Sequence, residues 1–406
     1  MGKEDVEVGV AMSGTQREHM LEYLQKLTLE LKAEERRQSI KEKELHKVVN
    51  SLQQNISQLE ISGLDTNSYE VRLCLECLRC LRNTCAGCSS NQDVILSCNI
   101  TDQLCSLITT CLDYISQSGL PSETLLTLLR CSIQLSVNLV SNNNGGQSLI
   151  WSAFFPVIFK KLLTCGDMKS CQYSCMLLLG CLKSPNILEK FMRSEERTSI
   201  SEAVLHLSTV ETELDFSLQL ANFLVLQENF IQETLISMNT EAKTILVEII
   251  AAHLSEEQED TSAPSTITSA ALLNLAETFE KVCHSVINLA TGEEKLSSDE
   301  KIPALVTKLL STLCVATSSP SKSSLKTLQE RKSLIISSLE LLLMVHAIGK
   351  KGDNVFTVTQ TLTSNDSNTN PVHGFRRDLV RLIGNLSYQC KENQDVVSEL
   401  HIGSFC

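Results

Sequence analysis

Five cysteines crowd one short segment: Cys74, Cys77, Cys80, Cys85 and Cys88. Their repeated C-x-x-C spacing is the kind that can supply thiolates to zinc. A tetrahedral site needs its donors to converge on one point. Leu73, Leu75, Leu78 and Leu81 interleave with these thiols at helical spacing, and positions three apart on a straight helix drift around its axis. One helix therefore closes a tetrahedron awkwardly, while reduced cysteine is among the side chains most often buried. Core packing is the preferred reading, with a thiol- or zinc-dependent sensor on the same five residues as the alternative.

Nucleophilic catalysis would need a base beside a nucleophile. The eight histidines lie scattered at positions 19, 46, 206, 253, 284, 346, 373 and 401 without a companion motif. Cys283 and His284 are sequence neighbours, but adjacent helical side chains point about 100° apart. No G-x-S-x-G, P-loop, G-x-G-x-x-G or H-E-x-x-H pattern occurs. The sequence predicts no enzyme and no cofactor. A net charge of −13 argues against nucleic acid, since phosphate neutralisation needs a dense Lys/Arg stripe.

The acidic start, Met1-Gly2-Lys3-Glu4-Asp5-Val6, lacks the pattern of a signal peptide, and no apolar run approaches the ~18 residues of a membrane span. A cytoplasmic protein with reduced thiols is the expectation, and 17 cysteines could not all pair within one molecule.

The elements that would carry these residues are helices. At 406 residues the chain exceeds the ~250 to 300 of a single core. Its 16 Gly and 7 Pro leave too little turn chemistry for many short strands. From Gln16 to Leu59 apolar positions recur at three- and four-residue steps, and the mixed charges of Lys32 to Lys47 suit a solvated helix face. Within that face Arg36-Arg37-Gln38-Ser39 is a weak basophilic kinase pattern. The segment from Leu125 to Val140 is apolar on more than one side, so it must be sandwiched between neighbours. Ser122 is expected to cap it and Asn142-Asn143-Asn144-Gly145-Gly146 to stop it. Pro156 should kink or split the run from Leu149 to Leu163.

Three segments share one layout: Asn83 leading to Gln92, Asn138 to Gln147, and Asn385 to Gln394, each pair nine positions apart. Weaker copies align at Cys181, Asn222, Asn288 and His346, giving intervals of 55, 43, 41, 66, 58 and 39 residues. Armadillo and HEAT units run ~40 to 47 residues. The fold class is all-α: an armadillo/HEAT-like right-handed α-solenoid of about six to seven degenerate repeats. The expected layout is a disordered N-terminus at 1–14, N-terminal helices at 15–62, and a first lobe of repeats at 68–254. An acidic flexible loop at 255–268 precedes a second lobe at 269–358. A loop at 359–373 leads to a final partial repeat at 374–400 and an aberrant tail at 401–406.

The Leu81-Arg82-Asn83 and Gly384-Asn385-Leu386 helix ends, each followed by Asn-Gln-Asp, resemble the third helix and exit loop of the armadillo-repeat family. Cys77 to Cys85, Ser148 to Trp151 with Phe154-Phe155-Pro156, and Gly374-Phe375 through Asp395 are similar to one branch of that family, in the same order along the chain. That branch continues past Glu399-Leu400 into a further repeat, so the resemblance implies a truncated or alternatively spliced C-terminus. It also implies a scaffold tied to neuron survival, neurite outgrowth through Ras-MAP kinase signalling, and cytokinesis. Implied locations are cytoplasmic and perinuclear, with midbody or centrosome/cilium base also suggested. Implied partners are O-linked N-acetylglucosamine transferase, a G-protein β subunit and a second copy of the chain.

In peptide-binding armadillo proteins a ladder of third-helix asparagines grips an extended partner. The corresponding candidates are Asn83, Asn138, Asn222, Asn288 and Asn385, with Trp151 as a groove anchor. The preferred readings are nonetheless asparagines satisfying nearby backbone at helix ends and a tryptophan buried beside Phe154 and Phe155.

Overall fold

The computed structural model describes residues 14–62, 65, 68–118, 121–259, 267–287, 301–318, 323–351, 356 and 374–399. The expected N-terminal disorder before residue 14, the loop at 359–373, the tail at 401–406, most of the strand-like stretch 355–361 and Asn288 lie outside the described residues. All regular structure among the described residues is helical. They form two compact units, one within 1–196 and 211–220, the other within 197–210 and 221–406.

The first unit starts with α1 (Gly14–Glu30), α2 (Glu34–Ser39) and α3 (Glu42–Ser62). α4 (Tyr69–Cys85), α5 (Ser89–Ser97) and α6 (Ile100–Ser118) follow, then α7 (Glu123–Val140), α8 (Asn144–Phe154), α9 (Val157–Leu163), α10 (Met168–Leu182) and α11 (Pro185–Met192). The long helices α4, α7 and α10 pack side by side. Each closes a triplet, α2–α4, α5–α7 and α8–α10, and packs on the helix before it, which is the armadillo arrangement. α7 bears out its sequence: Leu125, Leu128, Leu129, Ile133, Leu135 and Leu139 are buried between α4, α6, α8 and α10. The serines in this helix, Ser132 and Ser136, turn their hydroxyls back to the carbonyls of Leu128 and Ser132, so burial leaves them bonded.

Local signals act as expected at several joints. Ser122 Oγ accepts from the Leu125 amide at 3.2 Å and caps α7. Pro156 separates α8 from α9. Two signals need correction. Gly145-Gly146 belong to the first turn of α8, because Asn143 Oδ1 caps that helix by accepting from the Gly146 amide at 2.8 Å. A Cβ on Gly146 would lie 2.1 Å from the Leu139 carbonyl oxygen, so this residue serves close helix approach. The charged stretch 32–47 is also broken: α2 is a separate helix, and Arg37 donates to the carbonyls of Leu31 and Lys32, capping the end of α1.

The second unit holds α12 (Arg197–Ser208), part of α13 (Phe216–Val225), α14 (Phe230–Thr234), α15 (Thr240–Glu259) and α16 (Ser269–Val282) with a 3-10 turn at Cys283–Ile287. It continues with α17 (Ile302–Ala316), α18 (Ser323–Gln329), α19 (Lys332–Lys350), α20 (Phe375–Ser387) and α21 (Lys391–Glu399). α15 packs along α17, and α17 along α20. Ser255 to Glu259, assigned from sequence to the acidic loop, are the last turn of α15. The unit boundary falls near 197–221 and not at that acidic stretch: polar composition marks loops, whereas shared packing marks units, and α15 packs on both α12 and α17. α19 has the length and apolar composition that a membrane-crossing helix needs, a property that core helices share. Leu334, Ile335, Leu339, Leu341 and Val345 bury one side of it within the unit.

Candidate functional site

The cysteine cluster of α4 is core. Cys74, Cys77, Cys80 and Cys85 are fully buried and Cys88 nearly so. Burial pushes the Cys74 and Cys80 thiols up to about 12 and raises Cys77 and Cys85 as well. Among the described residues no three His, Cys, Asp or Glu side chains are grouped to hold a metal ion.

The asparagines lie between helices, and their amides are spent within the stack. Asn83 Nδ2 donates to the Thr28 carbonyl on α1 at 3.0 Å, and Asn138 Nδ2 to the Arg82 carbonyl on α4 at 2.8 Å. Each third helix is thus tied to the one before it. Gln92 ties forward: its Nε2 reaches the Cys85 carbonyl at 3.2 Å and, at the end of α7, those of Asn138 at 2.8 Å and Ser141 at 3.3 Å. Gln147 repeats the move onto the Gly180 carbonyl at 3.0 Å, near the end of α10. The last carbonyls of an α-helix have no partner within it, and these glutamines supply one. A net ~0.5 to 1.5 kcal/mol per bond follows, and more where an unmade bond would leave a buried carbonyl bare.

The second unit uses the same device. Gln329 at the end of α18 donates to the Leu386 carbonyl at 3.2 Å and that of Tyr388 at 2.8 Å, closing α20. Asn385 Nδ2 donates to Thr317 Oγ1 at 3.1 Å. Thr317, just after α17, therefore occupies the third-helix position, and His346 does not. The sequence alignment placed His346 there, but it sits within α19. Asn222 Oδ1 meets His253 Nε2 at 3.0 Å, between α13 and α15.

One cleft opens on the third-helix face of the first unit, about 300 Å³ in volume and lined by Arg82, Gln134, Val137, Asn138, Tyr173 and Met176. Arg82 bonds Gln134 Oε1 at 2.6 Å and Asn83 Oδ1 at 3.1 and 3.3 Å, all neutral amide oxygens. Its charge is therefore held in place without a carboxylate at these contacts. Met176 is 37% exposed, and the Tyr173 ring lies 6.4 Å from that of Phe216.

Residues 8–283, more than half of the chain, match the BEM4-like family through its BEM4 N-terminal domain. The chain belongs to that family. Within it, this BEM4-like chain is similar to ataxin-10 of Homo sapiens, 29% identical over 388 residues, which is 94% of the chain and 78% of the relative. Ataxin-10 of Xenopus tropicalis is 28% identical over 346 residues, 84% of the chain and 69% of the relative. It is an ataxin-10-like sequence across nearly all its length. An engineered protein of known crystal structure aligns with 97% of the chain and 90% of its own at 14% identity, with a TM-score of 0.39.

Two features of the BEM4-like chain bear on the sequence reading. Trp151 is no groove anchor. It is 6% exposed, stacked on Phe155 with centroids 4.0 Å apart and edge-on to Phe191 at 6.4 Å, so it belongs to the core of the first unit. The histidines are also less isolated than the sequence suggests. Cys98 Sγ lies 3.2 Å from His46 Nδ1, and His46 Nε2 lies 3.3 Å from Glu42 Oε1. The Glu42 and His46 spacing of four is visible in sequence, but only the packing of α5 on α3 brings Cys98 to them. The glutamate side chain is 70% exposed, which leaves this trio in a solvated setting where charge interactions are weak.

Proposed function

We propose that this chain is a non-enzymatic armadillo-type scaffold that binds partner proteins, and that the cleft of the first unit takes an extended, acidic polypeptide segment. The observation that carries this reading is Arg82, a cation fixed by neutral oxygens on the floor of an open cleft whose walls offer the Tyr173 ring and the Met176 thioether. Arg, Tyr and Met are enriched where proteins meet. An acidic side chain would complete the Arg82 guanidinium with a charge-assisted bond, while the Gln134 and Asn138 amides face the same cleft. Among the described asparagines named from sequence, Asn138 is the one that lines this cleft; Asn83, Asn222 and Asn385 serve the stack.

The wider role follows the family resemblance: neuron survival, neurite outgrowth through Ras-MAP kinase signalling and cytokinesis, at cytoplasmic and perinuclear sites. O-linked N-acetylglucosamine transferase and a G-protein β subunit are the partners to try first. The test is fluorescence polarisation of a labelled glutamate-rich peptide against the intact chain and against Arg82→Glu. Reversing the charge should weaken binding at least about tenfold, the loss of one charge-assisted contact, with the helical circular dichroism unchanged. Equal binding by both proteins removes the cleft from the proposal. Co-precipitation of the two candidate partners by the intact chain but not by Arg82→Glu would extend the reading to them.

A further inference from the structure

Two thiols stand together at the turn between α9 and α10. Cys165 Sγ lies 3.8 Å from Cys171 Sγ. Cys171 is on the first turn of α10 and only 2% exposed, whereas Cys165 is partly exposed in the turn itself. Gly166 between them has φ +83°, a left-handed conformation that reverses the chain, and nothing lies within 4 Å of where its Cβ would be. Cys171 Sγ also has the Leu162 carbonyl at 3.4 Å, which orients it against the end of α9. The contact with Cys171 holds the Cys165 thiol below its ordinary range, against the effect of burial, and the same contact together with burial raises Cys171. One sulfur is thus the accessible nucleophile and the other a buried thiol beside it, the division of labour found in peroxide-sensing pairs.

We propose that Cys165 and Cys171 form a redox-active dithiol whose substrate is a hydroperoxide. The Cys165 thiolate attacks the terminal peroxide oxygen. The O–O bond breaks, the leaving oxygen takes up a proton and departs as water or an alcohol, and Cys165 becomes a sulfenic acid. The Cys171 sulfur then attacks the Cys165 sulfur, the S–O bond breaks, and the hydroxyl leaves as water with the Cys171 proton. Two thiols lose two electrons in all, and the peroxide gains them. The sulfurs must close from 3.8 Å to about 2.0 Å, a movement within reach of a turn that hinges at Gly166. The new bond would pin the end of α9 to the start of α10 beside Asp167, which caps α10 through the Ser170 amide and grips Arg130 of α7.

The other partly exposed thiols have different neighbours. Cys98 faces His46, and Cys105 faces the Ala153 carbonyl with burial raising it to about 11. The experiment treats the reduced, full chain with one equivalent of hydrogen peroxide, blocks remaining thiols by alkylation, and maps the products by mass spectrometry. A Cys165–Cys171 disulfide reversible by dithiothreitol is the expected first product. Cys171→Ser should leave a sulfenic acid on Cys165 that dimedone traps. Cys165→Ser should slow first oxidation about tenfold, since the accessible thiolate is gone. Circular dichroism checks that both variants keep their helices. Oxidation that begins at Cys98, Cys105 or Cys390, or dimedone labelling of Cys165 in the wild type without any disulfide, overturns the proposal.

Discussion

The tripeptide Asn-Gln-Asp begins a helix twice, as Asn91-Gln92-Asp93 on α5 and as Asn393-Gln394-Asp395 on α21. The two asparagines behave alike. Asn91 Nδ2 donates to the carbonyls of Arg37 and Thr84, Asn393 Nδ2 to those of Gln329 and Leu386, and both are buried. The glutamines do not. Gln92 is 2% exposed and reaches three carbonyls on two helices, whereas Gln394 is exposed and reaches only that of Ser387. Identical residues in identical local structure therefore differ by what packs over them: α7 lies against α5 and supplies the forward acceptors. Asparagine at this position ties a repeat backward and within itself; glutamine ties it to the helix that follows.

The sharpest way to break this comparison is to remove both glutamines in turn. Gln92→Ala should cost about 2 to 3 kcal/mol by leaving buried carbonyls at the end of α7 unmatched, and Gln394→Ala no more than about 0.5 kcal/mol, as for a surface change. Urea unfolding of the two variants reads the difference directly, and equal losses would show that the forward bond contributes nothing.

A charged tie in the first unit asks whether the same rule holds for ions. Arg130 clasps Asp167 through two hydrogen bonds, and Ser170 adds another. Burial alone would raise the Asp167 carboxyl, but those bonds outweigh it and hold it below the usual range. Asp167→Asn should cost about 2 kcal/mol near neutral pH. Because the folded carboxyl titrates below its unfolded value, this stability is present above the ordinary carboxylate range near pH 4 and is lost as pH falls through the folded value. Thermal melts of both proteins should therefore converge in acid. A gap that persists unchanged in acid would assign the loss to packing.

Replacing Asn91 or Asn393 by alanine should cost a similar 1 to 2 kcal/mol or so, since each removes two carbonyl partners. A much smaller loss at Asn393 would mean that the symmetry of the asparagines is only geometric. The gentlest probe leaves stability untouched: alkylation of the folded chain at pH 8 should spare Cys74, Cys80, Cys111, Cys175 and Cys181, all raised by burial to about 12. Urea should expose them to the reagent. Labelling of α4 in the native state would contradict its place between α1, α3 and α7.

Much of the fold was legible in the residues. The helical periodicity of α1, α3 and α7, the Ser122 cap and the break at Pro156 are local signals, and local signals survive folding. The nine-residue interval from helical asparagine to glutamine was legible too, because it measures one helix exit. Its purpose was not, since the acceptors are main-chain carbonyls that look the same under any side chain. His346 falls outside the ladder for a related reason: its apolar surroundings mimic a third helix, while Thr317 is the residue that Asn385 meets. Trp151 was legible as a core aromatic, because Phe154 and Phe155 stand beside it in sequence. The meeting of Cys98 with His46 was not, since it depends on two helices whose residues lie 52 positions apart.

The forward glutamine ties bear on how this chain can be dissected. A fragment cut between Gln92 and α7 would keep its own helices yet forfeit the donor that finishes the next one, so each severed edge acquires naked carbonyls on the far side of the cut. Fragments for expression should therefore end after the helix that a glutamine closes, beyond Ser141 or Leu182, and carry the preceding glutamine with them.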